Sequence, residues 1–195
     1  MGFFAPDRLT RLGGLSFQHR GFVLAVVHPQ TSALVSWASF DTYDSSKGYI
    51  IDGQQSACPG TGAQRCATMM VNYISGLSTY VGHIAMVMVY DEASNNDNAQ
   101  VYTQLRSVLG SSLMRLSWQQ RYALISKIGG GALIEQVGSP YGTIDTEWLH
   151  QACAPSPPPL PAAPPISQCG FRLEVSNTPN PKQIDFYGPP GVVNC

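Results

Sequence analysis

The segment Ile84-Ala85-Met86-Val87-Met88-Val89-Tyr90 is apolar without a break, and Asp91-Glu92 follows it abruptly. Strict alternation would leave one face of a strand for water. Here both faces are apolar, so the segment reads as a central strand. Residues 91–98 then leave it as a polar loop. Downstream, Val101, Leu105, Val108 and Leu109 share one face of a helix closed by Gly110, which adopts a left-handed cap easily. Upstream, Met69, Met70, Tyr73, Ile74 and Leu77 recur at spacings of three and four and predict a helix over 69–80 that stops near Gly82.

Phe22–Val27 and Leu34–Phe40 flank His28-Pro29-Gln30-Thr31, which predicts a hairpin. Residues 45–68 turn polar and Gly-rich around two cysteines and read as a long loop. Leu113–Leu116 and Tyr122–Ile128 predict short strands, and Gly129-Gly130-Gly131 a turn that requires positive φ. No residues that would make these glycines a phosphate cradle follow them. Farther on, Ala154–Pro165 contains Ser156-Pro157-Pro158-Pro159, an extended polyproline spacer. Phe171–Val175 and Gln183–Tyr187 alternate apolar with polar residues and predict a C-terminal β-hairpin. The chain thus divides into an N-terminal arm (1–19), a main domain (20–150), a Pro-rich spacer (151–169) and a hairpin with its tail (170–195).

Composition restricts the function. A net charge of −1 with 12% charged residues provides no field to gather nucleic acid. No run approaches the roughly 20 apolar residues that span a bilayer, so no membrane insertion is expected. The first twenty residues lack the apolar block of a signal peptide, which implies prior removal or another export route. Cys58, Cys66, Cys153, Cys169 and Cys195 show no metal-ligand spacing, and no metal or cofactor is expected. Cys58 with Cys66 and Cys153 with Cys169 each bracket a turn or proline run that a disulfide would close, leaving Cys195 free or intermolecular. Five reduced thiols in a cytosolic protein is the alternative, and connectivity stays open at this stage.

For catalysis, His19, His28, His83 and His150 are scattered without partner motifs. Asp91 and Glu92 form an acidic pair at the end of a buried strand, the place for a carbohydrate hydrolase if there is one; capping of the next helix is the commoner use of such residues. Trp118, Gln119, Gln120 and Tyr122 set flat aromatics beside amides, the chemistry of sugar recognition by stacking and hydrogen bonding. Core packing is the ordinary alternative for Tyr122, as for Trp37 and Trp148.

Several matches in order carry a resemblance. They are Arg20-Gly21 before the first strand, Phe40-Asp41-Thr42-Tyr43 after the second, Gly82 before the strand ending Tyr90-Asp91-Glu92, Leu105 to Ser111, Trp118, Tyr122 and the glycines at 129–131. Over about residues 20–138, roughly two-thirds of the chain, the sequence resembles the interleukin-like EMT inducer (ILEI, PANDER-like) family. The resemblance implies an α+β fold: a compact β-sandwich-like domain with two flanking helices. It also implies a module of secreted signals, of a sugar-recognising stem in a glycosyltransferase, or of cell-surface and phage-fibre proteins. Where the family shows an Arg-Asp pair after an aromatic, this chain has Gln119-Gln120, and an amide still donates to and accepts from hydroxyls. Family cysteines near the glycines are replaced around Ser126 and Ile128.

The expected function is a non-catalytic recognition or structural module, extracellular or on the surface of a cell or virion. It binds a glycan or protein partner within a larger assembly such as a cell wall, appendage or virion coat. The Ser-Pro-Pro-Pro stretch also resembles hydroxyproline-rich extracellular glycoproteins. A secreted cytokine-like signal is the alternative, and a hydrolase built on Asp91 and Glu92 the rival class. Glycan candidates are Trp118, Gln119, Gln120, Tyr122, Asp91 and Glu92.

Overall fold

The computed structural model describes residues 10–16, 20–31, 33–140, 144–150, 169–175 and 183–188. They run β1 (Thr10–Ser16), β2 (Gly21–Val27), β3 (Leu34–Asp41), β4 (Tyr49–Ile51), β5 (Gln54–Ser56), then helix α1 (Arg65–Gly76) continued by a 3-10 turn (Leu77–Tyr80). After these come β6 (Ile84–Tyr90), α2 (Ala99–Leu109), β7 (Arg121–Lys127), β8 (Gly131–Gly138), β9 (Ile144–His150), β10 (Cys169–Val175) and β11 (Gln183–Gly188). One antiparallel sheet has the order β5-β4-β3-β2-β6-β7-β8, and a second has β1-β11-β10-β9.

The uninterrupted apolar run is β6, flanked by β2 and β7. Successive side chains of a strand point to opposite faces. Phe22, Leu24, Val26, Ala85, Val87, Val89, Tyr122 and Leu124 accordingly share one cluster with Met70 and Ile74 of α1 and Val101, Leu105 and Leu109 of α2. Val23, Ala25, Ile84, Met86, Met88, Ala123 and Ile125 form the other cluster, joined by Ile144 of β9. The second sheet lies on this side, with β10 beside β6 and β7 and β9 beside β7 and β8. Helices cover one face of the large sheet and strands the other, an α+β, sandwich-like arrangement.

Gly21 begins β2 at φ 144°, and a Cβ there would stand 2.1 Å from the Phe40 carbonyl oxygen, so the close start of the β2–β3 pair requires glycine. Gly110 closes α2 at φ 69°, its N–H donating to the Arg106 and Leu105 carbonyls, while Asn98 opens the helix by accepting from the Val101 N–H. Gly129 and Gly131 both have positive φ in the β7–β8 turn.

The sequence reading needs correction at four places. Helix α1 starts at Arg65, not 69, because Cys66 and Ala67 are already buried in its first turn. The loop expected over 45–68 holds the β4–β5 hairpin, which extends the sheet edge; Tyr49-Ile50-Ile51 of β4 is too short a run to show a period, and Gln54-Gln55-Ser56 of β5 is too polar to signal a strand. Leu113–Leu116 is no strand: Leu113 and Leu116 are buried anchors of an irregular segment, with Tyr102 Oη accepting the Leu116 N–H and Arg106 donating to the Leu113 carbonyl. Asn98, rather than Asp91 or Glu92, caps α2. At the C-terminal end, Arg172–Glu174 of β10 pairs antiparallel with Asp185–Tyr187 of β11. The proline-rich stretch 151–168, with Cys153, and the tail with Cys195 lie outside the described residues.

Cys58 and Cys66 form a disulfide across a separation of eight residues, closing the Pro-Gly turn onto α1. Replacing both by serine should cost about 2.5 kcal/mol from loop-closure entropy, read as a lower urea midpoint with an m-value at least as large as the parent's, because the unlinked denatured chain is more expanded.

Glu135 on β8 braces the segment after α2, accepting from the Ser111 and Ser112 hydroxyls, the Ser112 N–H and Tyr122 Oη. Burial alone would raise its pKa, but these hydrogen bonds outweigh burial and hold it below the ordinary 4.5. Its stabilising contribution is therefore complete above pH 4.5 and lost as pH falls through the lower folded value. Glu135→Gln should cost about 1 kcal/mol at neutral pH, and unfolding curves of the variant should show a smaller loss of stability below pH 4.5 than those of the parent.

Candidate functional site

Because Gly21 pairs with both Asp41 and Tyr90, the start of β2 and the ends of β3 and β6 lie at one end of the large sheet, beside the start of β7. The loops that follow β3 and β6 and precede β7 therefore converge. Polar groups of the 91–98 loop lock them together. Asn95 and Asn96 side-chain amides donate to the Tyr43 carbonyl, the Asn96 N–H donates to the Thr42 carbonyl, and Thr42 Oγ1 donates to the Ala93 carbonyl. Such side chain–backbone bonds give irregular segments the order that ladders give strands.

On this frame Trp118 stands 54% exposed. Its ring centre is 6.2 Å from that of Tyr43, the planes inclined at 51°. The Arg20 guanidinium covers the Tyr43 ring at 4.7 Å, and Arg20 Nε meets Asp91 Oδ2 at 2.8 Å. The result is an exposed surface of two aromatic rings, a cation and a carboxylate. Tyr90 lies beside it; burial raises its hydroxyl pKa, with Asp91 adding and Arg20 and Arg121 opposing. Arg121 is 3% exposed and donates to the Asp91 carbonyl at 2.9 Å. Arg121 Nε and Gln119 Oε1 are buried without a hydrogen-bond partner.

The six expected contact residues separate. Trp118 and Asp91 belong to the exposed surface. Gln119 and Gln120 are half-buried in the turn behind it, the Gln120 side chain accepting the Ser117 N–H. Glu92 is 2% exposed, with Ser94 and Gln119 donating to its carboxylate, so it faces the frame rather than solvent. Tyr122 is fully buried on the helix side, bonded to Ser111 and Glu135, and has no surface to present. Arg20 and Tyr43 complete the surface although neither sits near Trp118 in the chain: their place in the family motifs is the only signal the sequence holds, and strand pairing brings them there. Among the described residues no three His, Cys, Asp or Glu side chains gather as a metal site would require.

The family model described as Interleukin-like EMT inducer matches residues 20–130, more than half of the chain. The chain belongs to the ILEI family. The match begins at Arg20, includes Tyr43, Asp91 and Trp118, and ends in the β7–β8 turn, so the whole candidate surface lies within the family domain. A search of curated proteins finds no match. ILEI membership and the Cys58–Cys66 disulfide are the marks of an extracellular domain. Among the described residues no helix is long and apolar enough to cross a membrane.

The Arg20–Asp91 pair is exposed on both sides, so its stabilising effect on the ILEI domain is small. Arg20→Ala should change unfolding free energy by less than about 1 kcal/mol, while uncovering Tyr43 enough to alter its near-ultraviolet circular dichroism.

Proposed function

We propose that this ILEI-family domain is a non-catalytic recognition module, displayed outside the cell or on a particle surface, that binds a glycan through Trp118, Tyr43, Arg20 and Asp91. The observation that carries the reading is the exposure of Trp118 on a hydrogen-bonded turn. A large aromatic left in water normally finds cover. Here it stands beside a second ring and an ion pair. Sugars have apolar faces that stack on such rings and hydroxyls that bond to carboxylate and guanidinium together.

The rival, a hydrolase centred on Asp91 and Glu92, is weakened by geometry. A pair of catalytic carboxylates flanks a bond from two sides. Glu92 is instead turned inward and saturated by donors, and Asp91 is paired with Arg20. A cytokine-like role would use the same surface against a protein, and the family assignment favours keeping this second reading. Assembly into a cell wall, appendage or virion surface is the setting we propose for the glycan reading, with the proline-rich segment as the spacer that displays the domain.

A glycan array probed with the full chain tests this. Binding to a defined glycan set should fall at least about tenfold in Trp118→Ala, about 1.4 kcal/mol. It should persist in Val81→Ala, a more exposed apolar residue that precedes the opposite end of β6. Release of reducing ends from a bound glycan would contradict the non-catalytic reading, and binding that survives Trp118→Ala would move the site elsewhere.

A further inference from the structure

Trp118 and Gln119 are the central residues of a tight turn in which the Gln120 N–H donates to the Ser117 carbonyl at 3.1 Å. Gln119 has φ 55°, a left-handed conformation that an L residue adopts at a cost. In a turn whose third residue is left-handed, the peptide between the two central residues is reversed, so its N–H points out of the turn and needs an acceptor elsewhere. That acceptor is Glu92. Its Oε2 takes the Gln119 N–H, while its Oε1 takes the Ser94 N–H and the Ser94 hydroxyl, each at 2.6 Å. Glu92 is 2% exposed and none of the structure's ion pairs among the described residues includes it, so three hydrogen bonds carry its interaction with the fold.

We propose that Glu92 is the positioning residue of the recognition surface: by accepting the Gln119 N–H it holds the Trp118–Gln119 peptide in the reversed orientation that sets Trp118 beside Tyr43. The placement of Trp118 follows from this geometry alone; only its consequence for ligand binding rests on the glycan reading above. The role needs a carboxylate in particular. An amide of the same size has one accepting oxygen and one donating NH2. With its oxygen toward Ser94 it sets N–H against the N–H of Gln119, and with its oxygen toward Gln119 it sets N–H against the backbone N–H of Ser94. Either way one donor loses its partner, and the turn loses the bond that offsets its left-handed residue. Loop 91–98 already clamps Tyr43 through Asn95 and Asn96, so Glu92 extends the same brace to the other ring of the pair.

The test begins with the unsubstituted chain. The Gln119 amide, bonded to a buried carboxylate, should exchange slowly with solvent deuterium in spite of its place in a surface turn; exchange at the rate of an unstructured amide would overturn the proposal without any variant. Glu92→Gln should then change the Trp118 contribution to fluorescence and near-ultraviolet circular dichroism, isolated by subtracting the spectra of matched Trp118→Phe proteins. The double variant Glu92→Gln/Gln119→Gly should restore that signal, because glycine holds the left-handed turn without help. A Trp118 signal indifferent to Glu92→Gln, or a loss that glycine does not repair, would sink the assignment. Binding to the glycan identified on the array should weaken about tenfold in Glu92→Gln and recover at least in part with the Trp118 signal. If no glycan binds the parent protein but the spectra respond as stated, the glycan reading fails and the positioning role stands.

Discussion

Three adjacent strands, β2, β6 and β7, are apolar on both faces, and the rest of the domain is organised by the need to cover them. Burying each large aliphatic side chain is worth about 1.5–3 kcal/mol, and a single layer would forfeit half of that. Helices α1 and α2 take one face through Met70, Ile74, Val101, Leu105 and Leu109, and the second sheet takes the other, where Ile144 of β9 joins the Met86–Met88 cluster. The outer strands β4 and β5 are short, and the outermost, β5, is polar and exposed, as befits a sheet edge that no layer needs to seal.

The ends of these central strands are where the residues of the candidate surface collect. Antiparallel pairing places the start of β2 against the ends of β3 and β6, so residues as distant in the chain as Arg20, Tyr43, Asp91 and Trp118 meet without any helix or strand carrying them all. Strands below and hydrogen-bonded loops above hold Trp118 beside Tyr43, an arrangement that would lower the ordering cost of binding under the proposed function.

Acidic side chains do much of that bracing. Asp41 accepts the Asp44 and Lys47 N–H groups, Glu92 those of Ser94 and Gln119, and Glu135 that of Ser112. Asp97, whose pKa burial raises, accepts from Tyr102 and lies 3.5 Å from the exposed Arg115. In a chain with so few charges, carboxylates serve chiefly as multiple acceptors for loop N–H groups that have no strand partner. Their worth comes from fixing these exposed or half-buried loop donors in one geometry, at about 0.5–1.5 kcal/mol for each hydrogen bond.

The sequence by itself determined the central strands, the two helices, their left-handed closure at Gly110, the pairing capacity of Cys58 with Cys66 and the family, because these depend on local periodicity, turn chemistry and short-range spacing. It also marked Trp118 and Asp91. It did not disclose the β4–β5 hairpin, since Tyr49-Ile50-Ile51 of β4 is too short to show a period and Gln54-Gln55-Ser56 of β5 carries no apolar signal, or that Leu113 and Leu116 anchor a loop, since alternation looks the same for a strand and for two buried anchors. Core packing was already the ordinary reading of Tyr122 in the chain, whereas nothing there turned Glu92 away from solvent. Only the packed structure set Glu92 against the Gln119 N–H, and it brought Arg20 and Tyr43 to Trp118. Side-chain direction in loops is set by contacts far away in sequence, and a pattern of nearby residues holds no record of them.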